Sequence, residues 1–199
     1  MAESAITPTT LPIGSKERNS AGYWGVLCLI ATEASLFAYL LFSYFYMAAQ
    51  YGKSWSPEPH PKLMLSLPDT FVLIASSVAV WWGERGLKQE RRRQHLIGYG
   101  IAIVLGIIFI VVQLFEWKSK TFSIQSGSYG SLYFTVTGFH LMHVVVGLII
   151  LGAIFLWSAA GYFTPTRCTP VLVSSLYWHF VDVVWLFVFT SFYLAPYIW

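Results

Sequence analysis

The residues that could do chemistry stand inside stretches that are otherwise apolar. Near the C-terminus the chain reads Ser175-Leu-Tyr-Trp-His179-Phe-Val-Asp182-Val-Val-Trp185, within an apolar run from about 171 to 198. His179 and Asp182 are three residues apart and Ser175 stands four before His179, so all three share one helix face. An Asp left facing lipid costs on the order of a few kcal/mol, so this stripe must meet another polar group. His140 and His143, again three apart, lie in a second apolar run, in Gly138-Phe-His140-Leu-Met-His143-Val. Glu33 lies roughly half-way along a third run, in Thr32-Glu33-Ala-Ser-Leu-Phe.

Histidines from two membrane helices can hold haem or copper, which makes His140, His143 and His179 candidate ligands. The same spacing serves equally for hydrogen bonds to Asp182 and Glu33, and the run that carries His140 and His143 is the expected partner of Asp182 and His179. Glu33 is either a proton-relay group or a carboxyl hydrogen-bonded to a neighbouring helix. Gln113 and Glu116, near the end of another run, are expected at the membrane interface. The sequence has no phosphate-binding glycine loop, nucleophile triad, CxxC pair or paired catalytic carboxylates. Cys28 and Cys168 lack metal-ligand spacing and are expected as reduced thiols.

The elements that must position these groups are membrane helices. Of 199 residues, 56% are hydrophobic and only 11% charged, a composition too apolar for a soluble surface. The net charge of +3 requires no nucleic-acid partner. Five apolar runs, at about 21–50, 65–87, 93–117, 127–160 and 171–198, are each long enough to span a bilayer. The expected fold is therefore all-α: one five-helix transmembrane domain over 21–199 after a polar tail over 1–20. Asn19 or Ser20 should cap the first helix. The connections carry the breakers and the charge, including Pro57, Pro59 and Pro61 in the first and Pro165 and Arg167 in the last.

Lys and Arg in the loops set orientation. With the N-terminus inside, the inner segments hold Lys16, Arg18, Arg85, Lys88, Arg91, Arg92, Arg93 and Arg167. The outer ones hold Lys53, Lys62, Lys118 and Lys120. Eight against four predicts a cytoplasmic N-terminus and an external C-terminus. Small residues at four-residue spacing, Ala75, Ala79 and Gly83 in run two and Gly98, Ala102 and Gly106 in run three, predict close-packed helix faces.

Four stretches give the chain a family likeness. They are Thr32-Glu33-Ala-Ser-Leu-Phe, Phe122-Ser-Ile-Gln-Ser-Gly-Ser-Tyr129-Gly130-Ser, Thr137-Gly138-Phe139-His140-Leu-Met-His143-Val and Tyr177-Trp178-His179-Phe180-Val-Asp182-Val-Val-Trp185. Looser matches run through Leu73-Ile-Ala-Ser-Ser and Gln113-Leu-Phe-Glu116-Trp. In these the chain resembles subunit III of the haem–copper oxidases, and among them the cytochrome c oxidase branch best.

The resemblance implies a non-catalytic subunit of a respiratory complex, without a redox centre of its own and so without haem ligation by these histidines. Haems and copper are expected in partner subunits, with subunit I as the main contact and subunit II and small subunits as further partners. It also implies phospholipid binding, support of sustained proton uptake during oxygen reduction, and a bacterial plasma membrane. Glu33 falls on the family's intramembrane carboxylate, and His140, His143, His179 and Asp182 on its inter-helix polar positions. Larger members have seven helices, and this chain starts at what would be their third. The third subunits of quinol oxidases are the nearest alternative, and a haem-b membrane anchor is the alternative from another class.

Overall fold

A computed structural model describes residues 21–55, 63–164 and 168–198. The expected tail and its Asn19 or Ser20 cap, Pro57, Pro59 and Pro61, and Pro165 and Arg167 all lie outside the described residues. Five helices are long and apolar enough to cross a membrane, and no β-strand occurs among the described residues. They are α1 (Ala21–Tyr51), α2 (Leu63–Lys88), α3 (Arg92–Ser119), α4 (Ser128–Ala159) and α5 (Thr169–Phe189). A 3-10 turn, Gly52–Trp55, follows α1. A π-helical turn, Thr190–Leu194, continues α5 into a last short helix, α6 (Ala195–Ile198).

Each helix satisfies its own backbone, which is why uninterrupted apolar runs become helices in a bilayer. The polar side chains of α1 follow the same logic. Thr32, Ser35 and Ser43 donate to the carbonyls of Leu29, Ala31 and Tyr39 at 2.7, 2.8 and 3.0 Å. These hydroxyls need no partner from another helix, and α1 is the least enclosed of the five.

The α2–α3 hairpin is the most tightly joined pair. A Cβ on Gly98 would stand 2.7 Å from both the Ala79 carbonyl oxygen and the Gly83 Cα. The small-residue rows at Ala79, Gly83 and Gly98 therefore bring two backbones into contact, as their spacing predicts. Ala75 departs from that expectation: it faces outward, exposed. Gly106 and Ala102 of the other row are buried, and Gly106 faces Trp178 and Leu148.

The hairpin closes with a Schellman turn. The amide of Arg91 donates to the Gly86 carbonyl at 2.8 Å and that of Glu90 to Leu87 at 3.1 Å, with Glu90 at φ 60°. Helix α4 ends the same way, with Gly161 at φ 85° and the Tyr162 amide on the Trp157 carbonyl. There the left-handed residue is glycine, at no steric cost.

Helix α5 is the most enclosed element and lies against α1, α2 and α4. Its two buried tryptophans tie it to α2. The Trp178 indole donates to Ser76 Oγ and the Trp185 indole to Thr70 Oγ1, each at 3.0 Å. Gly106 and Gly147 make room for the Trp178 ring from two other helices. The helices alternate in direction. Trp55 reaches Ser128 at one end (2.7 Å), and His95 reaches Ser158 at the other (2.8 Å). Aromatic residues sit exposed at both ends, Trp24, Trp81, Trp82 and Trp157 at one and Tyr46, Tyr51 and Tyr197 at the other, as membrane interfaces favour.

Candidate functional site

The polar residues singled out in the sequence do not converge on one centre. They form separate straps, each joining two or three helices. Among the described residues, no group of three or more His, Cys, Asp and Glu side chains comes together where a metal ion could be held.

The first strap joins α1 to α4. Glu33 Oε2 lies 3.0 Å from His143 Nε2, and His143 Nδ1 lies 2.7 Å from the Phe139 carbonyl. A carbonyl only accepts, so Nδ1 carries a proton and donates. One further proton then sits between Nε2 and the carboxyl, whichever of the two it is bonded to. Phe37 covers the pair, its ring 5.1 Å from that of His143. The Glu33 side chain is 28% exposed at the flank of α1, so this strap stands at the edge of the bundle and not at its centre.

The second strap joins α5 to α2. Asp182 Oδ2 accepts from Ser77 Oγ, and Ser77 Oγ lies 2.9 Å from His179 Nδ1. Ser175 Oγ lies 3.3 Å from His179 Nε2. With the single Ser77 proton on the carboxylate, Nδ1 must donate to Ser77, which leaves Nε2 to accept from Ser175. These are the residue types of a hydrolytic triad in the wrong order. Serine stands in the middle, donating to the Asp182 carboxylate while it accepts from His179, so the imidazole does not act as its base and the hydroxyl is a bridge and not a nucleophile. Run four was the expected partner of Asp182 and His179. The structure places α2 there instead, because α5 turns its Ser175–His179–Asp182 face towards Ser77.

His140 makes neither strap. It is fully buried, both ring nitrogens lack a hydrogen-bond partner among the described residues, and aromatic rings surround it. Trp185 lies 5.0 Å away, Phe109 5.9 Å and Phe37 6.4 Å, centroid to centroid.

A third group lies at the α3–α4 end and contains Gln113 and Glu116, in the last turns of α3. Both are buried between helices. Glu116 Oε1 accepts from Ser66 (2.9 Å), Lys120 (2.8 Å) and Tyr193 (2.7 Å), and the Tyr193 hydroxyl also meets that of Tyr133 at 2.7 Å. The Lys120 ammonium lies 5.2 and 5.1 Å from the centroids of the Tyr133 and Tyr193 rings. Sequence reading passed over Asp69, which is buried beside this group. The signal was available: Asp69 is a carboxylate inside an apolar run, as Asp182 is. It also passed over His95, whose Nδ1 and Nε2 meet the Gly83 carbonyl (3.1 Å) and Ser158 Oγ (2.8 Å), joining α2, α3 and α4.

Fold and straps together define a multi-pass helical membrane protein whose intramembrane polar groups lock helix to helix. The family model described as cytochrome c oxidase subunit III matches residues 16–197. Cytochrome c oxidase subunit 3 of Dugong dugon is 36% identical over 177 residues, covering 85% of this chain and 68% of the relative. The proteins of the same description from Equus caballus and Homo sapiens are 34% identical over the same coverage. The chain belongs to the cytochrome c oxidase subunit III family.

Proposed function

We propose that the chain is a non-catalytic subunit of a respiratory cytochrome c oxidase, seated on the subunit that carries the haems and copper. In that place it stabilises the complex, binds phospholipid and sustains proton uptake during oxygen reduction. The family match across residues 16–197 carries this reading. Two features of the chain support it. The hydrogen-bonding nitrogens of His143 and His179 are engaged by Phe139, Glu33, Ser77 and Ser175, so these rings act as struts. The exterior is apolar along α1, α2 and α4, with Phe42, Phe71 and Ile149 exposed, which suits lipid and a partner's helices. The basic loop with Arg85, Lys88, Arg91, Arg92 and Arg93 supports a cytoplasmic N-terminus.

Deleting the chain and purifying the oxidase through another subunit tests the proposal. The haem spectrum and initial turnover should persist, while activity decays faster during sustained turnover. Loss of the haems with the chain, or a haem band that follows this chain alone, would overturn it.

A further inference from the structure

At the end of the bundle that carries the α2–α3 turn, a cavity of about 430 Å³ opens between that turn and the end of α4. Leu87 and Phe163 give it apolar walls, and the buried His95 and Ser158, hydrogen-bonded to each other at 2.8 Å, form its floor. The exposed Glu90 and Arg92 stand at its rim. Arg92 places one guanidinium N–H on the Ala159 carbonyl, which fixes the group beside the cavity and leaves the rest of its donor fork for an anion. The turn around it is basic. Arg85, Lys88, Arg91, Arg92 and Arg93 against Glu84 and Glu90 leave three positive charges. Lys88 pairs with Glu84, whereas Arg91, Arg92 and Arg93 are exposed and enter no ion pair among the described residues.

We propose that this cavity seats the headgroup of one anionic phospholipid, with its phosphodiester on Arg92 and its acyl chains along the α3–α4 flank. The site deepens the phospholipid binding proposed above and rests on that reading. The cavity has the size of a small-molecule site. Its depth suits a headgroup, because Trp81, Trp82 and Trp157 lie exposed at the same end, and indoles mark the membrane interface. One and two turns inward from Arg92, Leu96 and Gly100 are half-buried, and Phe155 of α4 would lie 3.7 Å from a Cβ on Gly100. That flank gives an acyl chain an apolar track starting at the guanidinium. A guanidinium takes a phosphodiester through two parallel N–H donors, and basic groups at a bilayer surface favour anionic lipid. The ammonium of an ethanolamine headgroup would add a fourth positive charge to the turn. Glu90 at the rim disfavours a second negative charge, so a singly charged phosphodiester fits better than free phosphate.

The test uses the full chain in detergent, stripped of lipid and titrated with phosphatidylglycerol, phosphatidylethanolamine or inorganic phosphate, with bound molecules counted by native mass spectrometry. One phosphatidylglycerol per chain should be retained at concentrations where phosphatidylethanolamine is lost, and only phosphatidylglycerol should raise the thermal midpoint. Arg92→Gln should weaken phosphatidylglycerol binding by roughly tenfold or more, while Lys118→Gln, at the opposite end of α3, leaves it unchanged. Where Arg92→Gln fails to fold, Phe163→Glu, which sets a second carboxylate at the cavity, is read for the same loss. Retention of both lipids alike would overturn this site and leave phospholipid binding standing, whereas retention of neither would overturn both. A midpoint raised by phosphate in place of lipid, or unchanged affinity in the variant that folds, would also overturn the proposal.

Discussion

Single side chains here are judged by whether their hydrogen bonds close. Ser77 is the shared partner of Asp182 and His179, so Ser77→Ala strands a buried carboxylate oxygen and a ring nitrogen together. The expected loss is about 1–3 kcal/mol, read as a lower unfolding midpoint in detergent. At Glu33 chemistry separates two substitutions. A glutamine amide can donate to His143 Nε2 while Nδ1 holds the Phe139 carbonyl, so Glu33→Gln should keep the α1–α4 strap. Glu33→Leu cannot, and should lower the yield of assembled protein on co-purification with its partners. Equal yields for the two would show that the strap does not hold α1.

At the scale of the helix, backbone approach decides. Without a hydrophobic drive between helices in lipid, α2 and α3 are held by contact at small residues. Gly98→Ala puts a methyl 2.7 Å from the Ala79 carbonyl oxygen and the Gly83 Cα, neither of which is a side chain that can move aside. The hairpin must open, at about 1–3 kcal/mol, measured as thermal stability of the purified chain. Gly152→Ala is the control, because nothing lies within 4 Å of a Cβ there, and it should be neutral or mildly stabilising.

For the whole molecule the enclosed helix is α5 and the open one is α1. This leaves a broad apolar exterior that only lipid or another membrane subunit can cover. Orientation then fixes which end faces the cytoplasm. A cysteine introduced at the tip of the α2–α3 turn, Glu90→Cys, should be labelled by a membrane-impermeant thiol reagent only in inverted vesicles. Labelling from the outside of intact cells would reverse the topology drawn from the basic loop.

The sequence by itself determined the five spans, because a bilayer demands a minimum apolar length and the charged and proline-rich connections mark where each run stops. It determined that Ser175, His179 and Asp182 share a face, since that follows from helical spacing alone, and that Ala79, Gly83 and Gly98 would meet another backbone. Family motifs placed Glu33, His140 and His143 among the intramembrane polar positions. Only the tertiary structure decided which helix each of them meets. Helices apolar on every side carry no stripe that marks an inward face, so burial could not be read from hydropathy for Glu116 and Gln113, and Asp69 went unnoticed. Register across the α2–α3 hairpin and the π-turn in α5 bring Ser66, Glu116 and Tyr193 together from positions 50 and 77 residues apart. The turn of α5 towards α2 gives Asp182 its serine in place of a group on α4. Local spacing sets the face of a helix; what stands opposite is fixed by how the whole bundle packs.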